Sequence, residues 1–342
     1  MRLTVEDPAV LGAACGELKG LMDRVDKAAS RFRVDSELSV VNRRAGALVP
    51  VSRLLVDLVD VSLVAARVSG GAVDPTVGPA VVAAGYDADI EAVRRRFPPS
   101  HEPQALDEPS SAPRVAGGVR RFPPSYEPQA LDESSSAPWV AGGVRGFPPA
   151  AQVQSASGGV VGWREVRLNR KLALLGVPKG CALDLGATAK AWTADRAANL
   201  LSKRYGCAVL VEIGGDLRAA GAPKEPWVVT VAERCGGPGV LVTLTHGGLA
   251  TSTRTVRRWR TADGYAHHVI DPRTGRPAEG AYRTASVWAP TAVRANTFST
   301  ALVATSDAAL GRLKLASHPA RLIGADGEVT ELSGWPAASR AA

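Results

Sequence analysis

A tandem repeat splits this sequence into two parts and limits what the chain can fold into. Residues 97–121 recur as residues 122–146 with four differences, and a third copy starts at Phe147. The 25-residue unit is rich in Pro, Ser, Glu and Gly, and it lacks the apolar face that a solenoid unit needs. We therefore expect residues 94–158 to be a disordered insertion in one domain, built from residues 1–93 and 159–342. A Pro-rich docking tract is the alternative for the insertion.

The composition of the whole chain is that of a globular protein. Hydrophobic residues make up 45% of the 342 residues, which is enough for a core. No run of about 18 uncharged apolar residues occurs, so we predict no transmembrane segment. The N-terminus lacks the order of a secretory signal, and the cysteines, Cys15, Cys181, Cys207 and Cys235, form no C-x-x-C pair. These features favour a cytoplasmic protein.

The positive charge of the chain limits its partners only weakly. The net formal charge of +8 is compatible with nucleic acid, a membrane surface or an anionic small ligand. Aromatic residues are only 5% of the chain, so few side chains are available to stack on bases. We therefore predict that the protein does not bind nucleic acid.

Apolar spacing predicts helices and strands without a regular βαβ alternation. Spacings of three and four residues predict a first helix of about six or seven turns, with an apolar stripe of Leu11, Cys15, Leu18, Met22, Val25, Ala29 and Phe32. Ser52 as N-cap and Gly70-Gly71 as a stop predict a second helix. After the repeat we predict helices at 187–203 and 292–305 and strands at 164–168, 208–213, 227–232, 240–245 and 286–289. This mixture indicates the α+β class.

Four segments outside the repeat are richer in Gly, Asp, Thr and Ser than core packing requires. They are residues 71–79, 182–195, 212–218 and 247–275. Each also has a plain structural explanation: paired turns, a capped helix, a hairpin turn and structural histidines, respectively. Spacing alone therefore leaves a binding site and ordinary loops open as alternatives.

Two of these segments contain candidate functional residues. Asp184 and Lys190 bracket a glycine-initiated first turn of a helix, where free N–H groups favour an anion such as a phosphate. His267 and His268 are adjacent, and neighbours on a strand point to opposite faces, so at most one faces a given site. His268 is the better candidate if His267 is solvated.

The four segments, in this order, resemble the ApbE family of FAD:protein FMN transferases. The resemblance covers residues 2–93 and 159–332 and rests on matching landmarks, which are Phe32–Asn42, Val73–Pro79, Leu183–Lys190, Gly214–Asp216, Ala250–Ser252, His268–Gly275 and Ala295–Thr300. It implies a single ApbE-like, T-fold-like domain of mixed sheets and helices, interrupted by the repeat. The combination of D-L-G-x-x-A-K with H-x-I-D-P-R-T-G is specific.

The resemblance implies transfer of the FMN half of FAD to a threonine or serine hydroxyl of an acceptor flavoprotein, with release of AMP and help from Mg²⁺. By position, it places FAD against Ala29, Val82, Ala83, Ala84, Gly85, Asp184, Lys190, Ser252 and His268. It places Mg²⁺ on the Ala187 backbone carbonyl, Asn296 and Thr300. It makes His268 the general base or a phosphate-positioning group, with Asp271 as its orienting residue.

The sequence departs from the family pattern at three places. Asn296 stands where the family usually has an aspartate, and Thr253-Arg254 follows Ala-Thr-Ser where a small residue and an aspartate are usual. The chain also begins inside the expected first strand, so a missed leader would make the protein exported or membrane-anchored. Two other functions remain open: an FAD-binding protein or FAD pyrophosphatase that releases free FMN and AMP, and a basic interaction protein that uses the repeat.

Overall fold

The structure is a computed structural model, and it describes residues 1–96, 120–121, 162–234, 236–262 and 264–336. The described residues form eight α-helices. These are α1 (Leu11–Ala29), α2 (Glu37–Arg43), α3 (Arg53–Ser69), α4 (Gly78–Ala83), α5 (Ile90–Arg96), α6 (Ala189–Tyr205), α7 (Ala292–Thr305) and α8 (Asp307–Ala316). None of them combines the length and the apolar character that crossing a membrane requires.

An antiparallel sheet of seven strands is the centre of the fold. Its order is β1-β6-β7-β10-β15-β16-β17. The strands are β1 (Arg2–Val5), β6 (Val209–Ile213), β7 (Asp216–Ala220), β10 (Gly247–Thr253), β15 (Tyr282–Ala289), β16 (Ala320–Gly324) and β17 (Val329–Leu332). The predicted α+β class is confirmed, because the helices pack on this mixed-order sheet rather than alternating with parallel strands.

Smaller sheets surround the central one. One contains β2 (Leu48–Pro50), β5 (Leu174–Gly176) and β4 (Arg167–Asn169), and another contains β3 (Arg120–Arg121), β9 (Gly239–Leu244) and β8 (Trp227–Ala232). Two hairpins, β11 (Arg258–Thr261) with β12 (Gly264–His267) and β13 (Ile270–Asp271) with β14 (Arg276–Pro277), complete the strands of the described ranges.

Two helices, α6 and α7, pack against the central sheet and contribute to two of its buried clusters. On α6, small residues such as Ala194 and Ala198 are buried and let the helix lie close to β6 and β7. The apolar residues of α7, Phe298 and Leu302 among them, are buried against β10 and β15. Because α7 is buried nearly all round, its polar residues are held in fixed positions.

Local sequence signals predicted the ends of α3 correctly but not the end of α1. The Ser52 side chain accepts from the Leu55 amide and Gly70 has a φ of +68°, as predicted for the ends of α3. The first helix is shorter than predicted because the backbone becomes extended at Ser30. Ser30 accepts a hydrogen bond from Ser36, the N-cap of α2, and Phe32 is 46% exposed.

The first three residues of the predicted insertion, 94–96, belong to a packed helix. We expected the insertion to begin at residue 94, but α5 continues to Arg96. Val93 is buried, and the Arg94 guanidinium donates to the Val256 carbonyl at 2.6 Å. Within the repeat, the structure describes only residues 120–121, which pair as β3 with β9. The predicted disorder of the rest lies outside the described residues.

Candidate active site

A cleft of about 1340 Å³ lies between the central sheet, the end of α1 and the first turn of α6. Residues from the four Gly- and Asp-rich segments line it, together with one face of α7. Five cationic residues also line the cleft, which are Arg2, Arg31, Lys190, Arg234 and Arg257. Segments that are far apart in sequence therefore meet around one space that can hold an anionic ligand.

Two segments that precede the repeat hold the backbone on either side of Asp184. Asn42 donates from Nδ2 to the Leu183 carbonyl at 2.9 Å and accepts from the Leu183 amide at 2.8 Å. The Asp184 amide donates to the Pro75 carbonyl at 2.8 Å. A Cβ at Gly78 would lie 2.5 Å from a backbone oxygen of the same segment, so glycine is required for this close approach. These motifs thus position Asp184.

Asp184 faces the cleft and pairs with an arginine that the sequence analysis did not single out. Its Oδ2 lies 3.0 Å from Arg31 Nε, and its Oδ1 accepts from the Gly186 amide at 2.8 Å. Arg31 Nη1 donates to the Tyr86 carbonyl at 2.6 Å, and the guanidinium lies 4.1 Å from the Phe32 ring centre. Its Nη2 is buried without a hydrogen-bond partner among the described residues. Arg31 therefore has an unused donor beside Asp184.

Lys190 lies in the first turn of α6 and crosses the hairpin turn between β6 and β7. Its Nζ donates to the Gly186 carbonyl at 2.8 Å. Its stem passes over Gly214, where a Cβ would lie 3.2 Å from the lysine carbons. Burial lowers the pKa of Lys190, and the charges of Asp216 and Asp184 oppose that effect. The paired glycines thus form a hairpin, as the structural alternative predicted, and also make room for the lysine.

A chain of oxygen-bearing side chains runs along the cleft side of α7. Asn296 Nδ2 donates to Asp216 Oδ1 at 2.6 Å, and Thr300 Oγ1 donates to Asn296 Oδ1 at 3.2 Å. Ser252 Oγ lies 2.9 Å from Thr300 Oγ1 and 2.8 Å from Ser299 Oγ. The structure therefore brings together three residues predicted by sequence, Ser252, Asn296 and Thr300, with Asp216.

Asp216 is the acidic member of this chain and is only 2% exposed. One of its oxygens, Oδ2, has no hydrogen-bond partner in the described part of the chain. Burial raises the pKa of Asp216, and the positive charge of Lys190 and the bond from Asn296 oppose the rise. Among the described residues, no group of three or more His, Cys, Asp and Glu side chains is arranged so that it could hold a metal ion. A cation here would therefore depend mostly on neutral oxygens and on its substrate.

His268 lines the cleft as a neutral ring. Burial, reinforced by the charges of Arg257 and Lys190, lowers the pKa of His268 to about 3. Nδ1 of His268 is buried and has no hydrogen-bond partner within the described ranges. A neutral imidazole has one ring nitrogen whose lone pair can accept a proton. The neutral ring of His268 can therefore act as a proton acceptor.

His267 and Asp271 form hydrogen bonds with groups other than His268. His267 Nε2 lies 2.9 Å from the Ala278 carbonyl, and His267 does not line the cleft. Both Asp271 oxygens pair with the Arg273 side chain, and Oδ1 also accepts from the Arg273 amide at 2.9 Å. The predicted contact between Asp271 and His268 is not among the hydrogen bonds of the described residues. Asp271 instead shapes the turn that follows His268.

Some of the remaining predicted residues line the cleft and others do not. Ala29 and Ala187 line it. None of the four residues in the predicted loop Val82–Gly85 lines the cleft. Val81, which precedes the loop, and Tyr86, which follows it, both line the cleft. The Ala84 carbonyl accepts from the indole of Trp259 at 2.9 Å, and that indole stacks on Tyr86. The loop therefore supports Tyr86 beside the cleft.

Asp195 positions α7 and was not singled out by the sequence analysis. Its two oxygens accept from the Ala292 amide at 2.8 Å and the Val293 amide at 2.9 Å, at the start of α7. Burial raises the pKa of Asp195 to about 6, and Arg218, 3.6 Å away, opposes the rise. An aspartate in mid-helix gives no sequence signal for capping another helix, because the two helices meet only in the fold.

Comparison with known proteins identifies the family. A sequence profile of the ApbE family matches residues 1–117 and 133–320. The chain belongs to the ApbE family. The match to ApbE proteins includes parts of the repeat region that the motif resemblance had left out.

Relatives and solved structures agree with the ApbE assignment. The chain is 28% identical over 308 residues to the FAD:protein FMN transferase of Treponema pallidum, covering 86% of this chain and 71% of the relative. It is 26% identical over 304 residues to that of Klebsiella pneumoniae, covering 87% and 72%. The crystal structure of the ApbE protein from Thermotoga maritima has a TM-score of 0.68 at 22% identity, with 94% and 89% covered. The flavin transferase ApbE of Vibrio cholerae has a TM-score of 0.62 at 20% identity, with 95% and 89% covered.

Proposed function

We propose that this ApbE family member is an FAD:protein FMN transferase. The hydroxyl oxygen of a threonine or serine in an acceptor protein forms a bond to the phosphorus of the FMN half of FAD. The bond from that phosphorus to the bridging oxygen breaks, and AMP leaves with the bridging oxygen. The observation that carries the proposal is the single cleft in which Asp184, Lys190, His268 and Thr300 meet.

Cationic groups in the cleft would bind the pyrophosphate. Phosphoryl transfer needs the charge of the phosphate oxygens to be neutralised and the reacting atoms to be aligned. Lys190 provides an ammonium that lines the cleft, and Arg31 provides an N–H at Nη2 with no other partner in the described ranges. Arg257 adds a third positive charge on the His268 side.

The residues on α7 fit a magnesium ion. Asn296 and Thr300 offer an amide and a hydroxyl oxygen, Ala187 offers a backbone carbonyl, and Asp216 Oδ2 is a buried acceptor without a partner in the described structure. Mg²⁺ prefers oxygen ligands and usually binds one or two carboxylates plus substrate phosphates. When bound, it would offset the charge that develops on the phosphate oxygens.

His268 would accept the proton of the attacking hydroxyl at Nδ1. In the free protein its low pKa makes it a weak base, because burial and two cations disfavour the imidazolium. A bound pyrophosphate places negative charge in the same cleft and so moves the pKa of His268 towards the working pH, where general bases act best. We assign Asp271 the role of holding the turn after His268.

In-gel flavin fluorescence tests the proposal. The protein is incubated with FAD, Mg²⁺ and a separate acceptor domain, and the acceptor band should become fluorescent. The chain itself should gain no FMN by intact mass, because it contains no [ST]-G-A-[ST] segment of the acceptor type. Free FMN and AMP in place of a labelled acceptor would support the pyrophosphatase alternative. The cytoplasmic location stays a prediction.

A further inference from the structure

We infer that Asp216 is the carboxylate ligand of the cation site in this chain, and that it takes the place of an acidic residue at position 296. The inference rests on the proposed function only in its choice of Mg²⁺ as the cation. It starts from the 2.6 Å hydrogen bond between Asn296 Nδ2 and Asp216 Oδ1, which joins an amide and a carboxylate across the cleft wall.

The first argument is the cost of burying Asp216. A carboxylate that is 2% exposed and has one oxygen without a partner among the described residues is expensive to keep ionised. The ammonium of Lys190 donates to the Gly186 carbonyl and acts on Asp216 only through space. A cation bound at Oδ2 would remove this cost.

The second argument is the orientation of the Asn296 amide. A carboxylate only accepts hydrogen bonds when ionised, so the amide must turn Nδ2 towards Asp216 and Oδ1 towards Thr300. Asp216, Asn296 and Thr300 are thus joined by hydrogen bonds in one network, and Asp216 Oδ2 is left without a partner among the described residues. All three residues line the cleft. The site therefore keeps one negative charge although position 296 is neutral.

The competing explanation is that Asp216 only accepts the hydrogen bond from Asn296. An asparagine at position 216 would then serve equally well, and it would avoid the cost of a buried charge. The two explanations differ in what Asp216→Asn does: loss of cation binding under the inference, and unchanged binding under the alternative.

The test measures binding of Mn²⁺, a spectroscopic substitute for Mg²⁺, by electron paramagnetic resonance on the full chain, alone and with ADP. No FAD and no acceptor are needed, so failure of the proposed transfer does not affect the readout. Asp216→Asn should weaken Mn²⁺ binding by about tenfold or more. The double exchange Asp216→Asn with Asn296→Asp restores one carboxylate and one amide, and it should recover most of the affinity.

Equal Mn²⁺ binding by wild type and Asp216→Asn, or no binding by either with ADP present, overturns the inference. Thermal unfolding with and without Mn²⁺ separates loss of metal binding from poor folding of a variant. Without metal, Asp216→Asn should be at least as stable as wild type, because it removes a buried charge. With Mn²⁺ the wild type should gain melting temperature and Asp216→Asn should not. A stabilisation of both proteins by Mn²⁺ to the same extent would also overturn the inference.

Discussion

At the scale of single residues, the two adjacent histidines differ in what they contact. His268 lines the cleft and its Nδ1 has no hydrogen-bond partner among the described residues, whereas His267 bonds to the Ala278 carbonyl and does not line the cleft. His268→Gln should lower the transfer rate by about 10²–10⁴-fold, because a general base is lost, while FAD still binds. His267→Gln keeps a polar side chain for Ala278 and should retain most of the rate.

Single-turnover transfer and equilibrium binding of FAD separate these effects. Equal rate losses in both variants, or loss of FAD binding in His268→Gln, would assign His268 a structural role instead.

The Asn296→Asp variant tests how the two acidic positions interact. It places a second carboxylate in contact with Asp216, and two such groups share a proton because like charges oppose ionisation of both. We expect this variant to bind Mg²⁺ more tightly than wild type at high pH and to lose that advantage as the pH falls. Magnesium titrations of both proteins at saturating FAD, at several pH values, measure the effect. Superimposable curves at every pH would show that position 296 does not face the cation.

Sequence motifs predicted several cleft residues but not the groups that support them. Asp184 and Lys190 lie in one of the four dense segments, Thr300 was assigned through the family resemblance, and all three line the cleft. Arg31 directly precedes the landmark that starts at Phe32, and Asp195 ends the segment 182–195, but nothing in the sequence marks these two side chains as functional. Their partners, Asp184 for Arg31 and the start of α7 for Asp195, are reached only through tertiary contacts.

At the scale of elements, α7 is the helix whose placement matters most for the site. Asp195→Asn leaves one oxygen for two amides, those of Ala292 and Val293, and turns an NH₂ group towards a backbone donor. We expect a loss of about 1–2 kcal/mol of unfolding free energy and weaker Mn²⁺ binding, because α7 carries Asn296 and Thr300.

The control is Ser52→Ala, which removes the side-chain cap of α3 away from the cleft. It should lose a similar free energy and leave Mn²⁺ binding unchanged. Urea unfolding and Mn²⁺ titration of the two variants make the comparison, and equal effects on the metal would contradict the positioning role.

Elements with local end signals were predicted best. Residues 292–305 were predicted as a helix and form α7, and Ser52 and Gly70 mark the ends of α3. The strands β16 and β17 were missed, because short segments acquire strand character only by pairing within the sheet. The strand predicted at 164–168 is partly a 3₁₀ turn, and the strand β4 starts at Arg167.

At the scale of the whole molecule, the repeat can be tested by removal. Deleting residues 97–158 keeps all of α5 and the described chain from Gly162 onwards. Because closure entropy changes slowly with loop length, we expect the deleted protein to fold and to keep transfer activity. It loses the β3 pairing on β9, so the melting temperature should drop slightly. Aggregation, or loss of FAD binding, would show that the repeat contributes to the core or the site.

The buried titratable groups oppose one another in the response to pH. Burial lowers the pKa of His318 to about 3, so the unfolded chain binds its proton first as the pH falls below 6.5. Burial raises the pKa of Asp195 to about 6, which acts in the opposite direction. The contribution of His318 to the unfolding free energy is therefore obtained as the difference between wild type and a variant without this histidine.

Relative to His318→Gln, the wild type should lose about 1.4 kcal/mol of unfolding free energy per pH unit from pH 6.5 towards pH 4. Above pH 6.5 the difference between the two proteins should be constant. Urea unfolding across this range gives the slope, and a difference that does not change with pH would mean that His318 keeps its ordinary pKa in the fold.

The pairing of the first strand has a consequence for synthesis. Arg2 of β1 pairs with Glu212 of β6, so this strand finds its partner only after some 210 further residues, and α1, which packs on α2 and α3, also waits for its contact with α6. At 5–20 residues per second, the ribosome needs about 10–40 s to make that length of chain. During this delay the apolar side of α1, with Leu18 and Leu21, has no sheet to cover it. We therefore expect nascent chains of this protein to expose apolar surface of α1 that the finished fold covers.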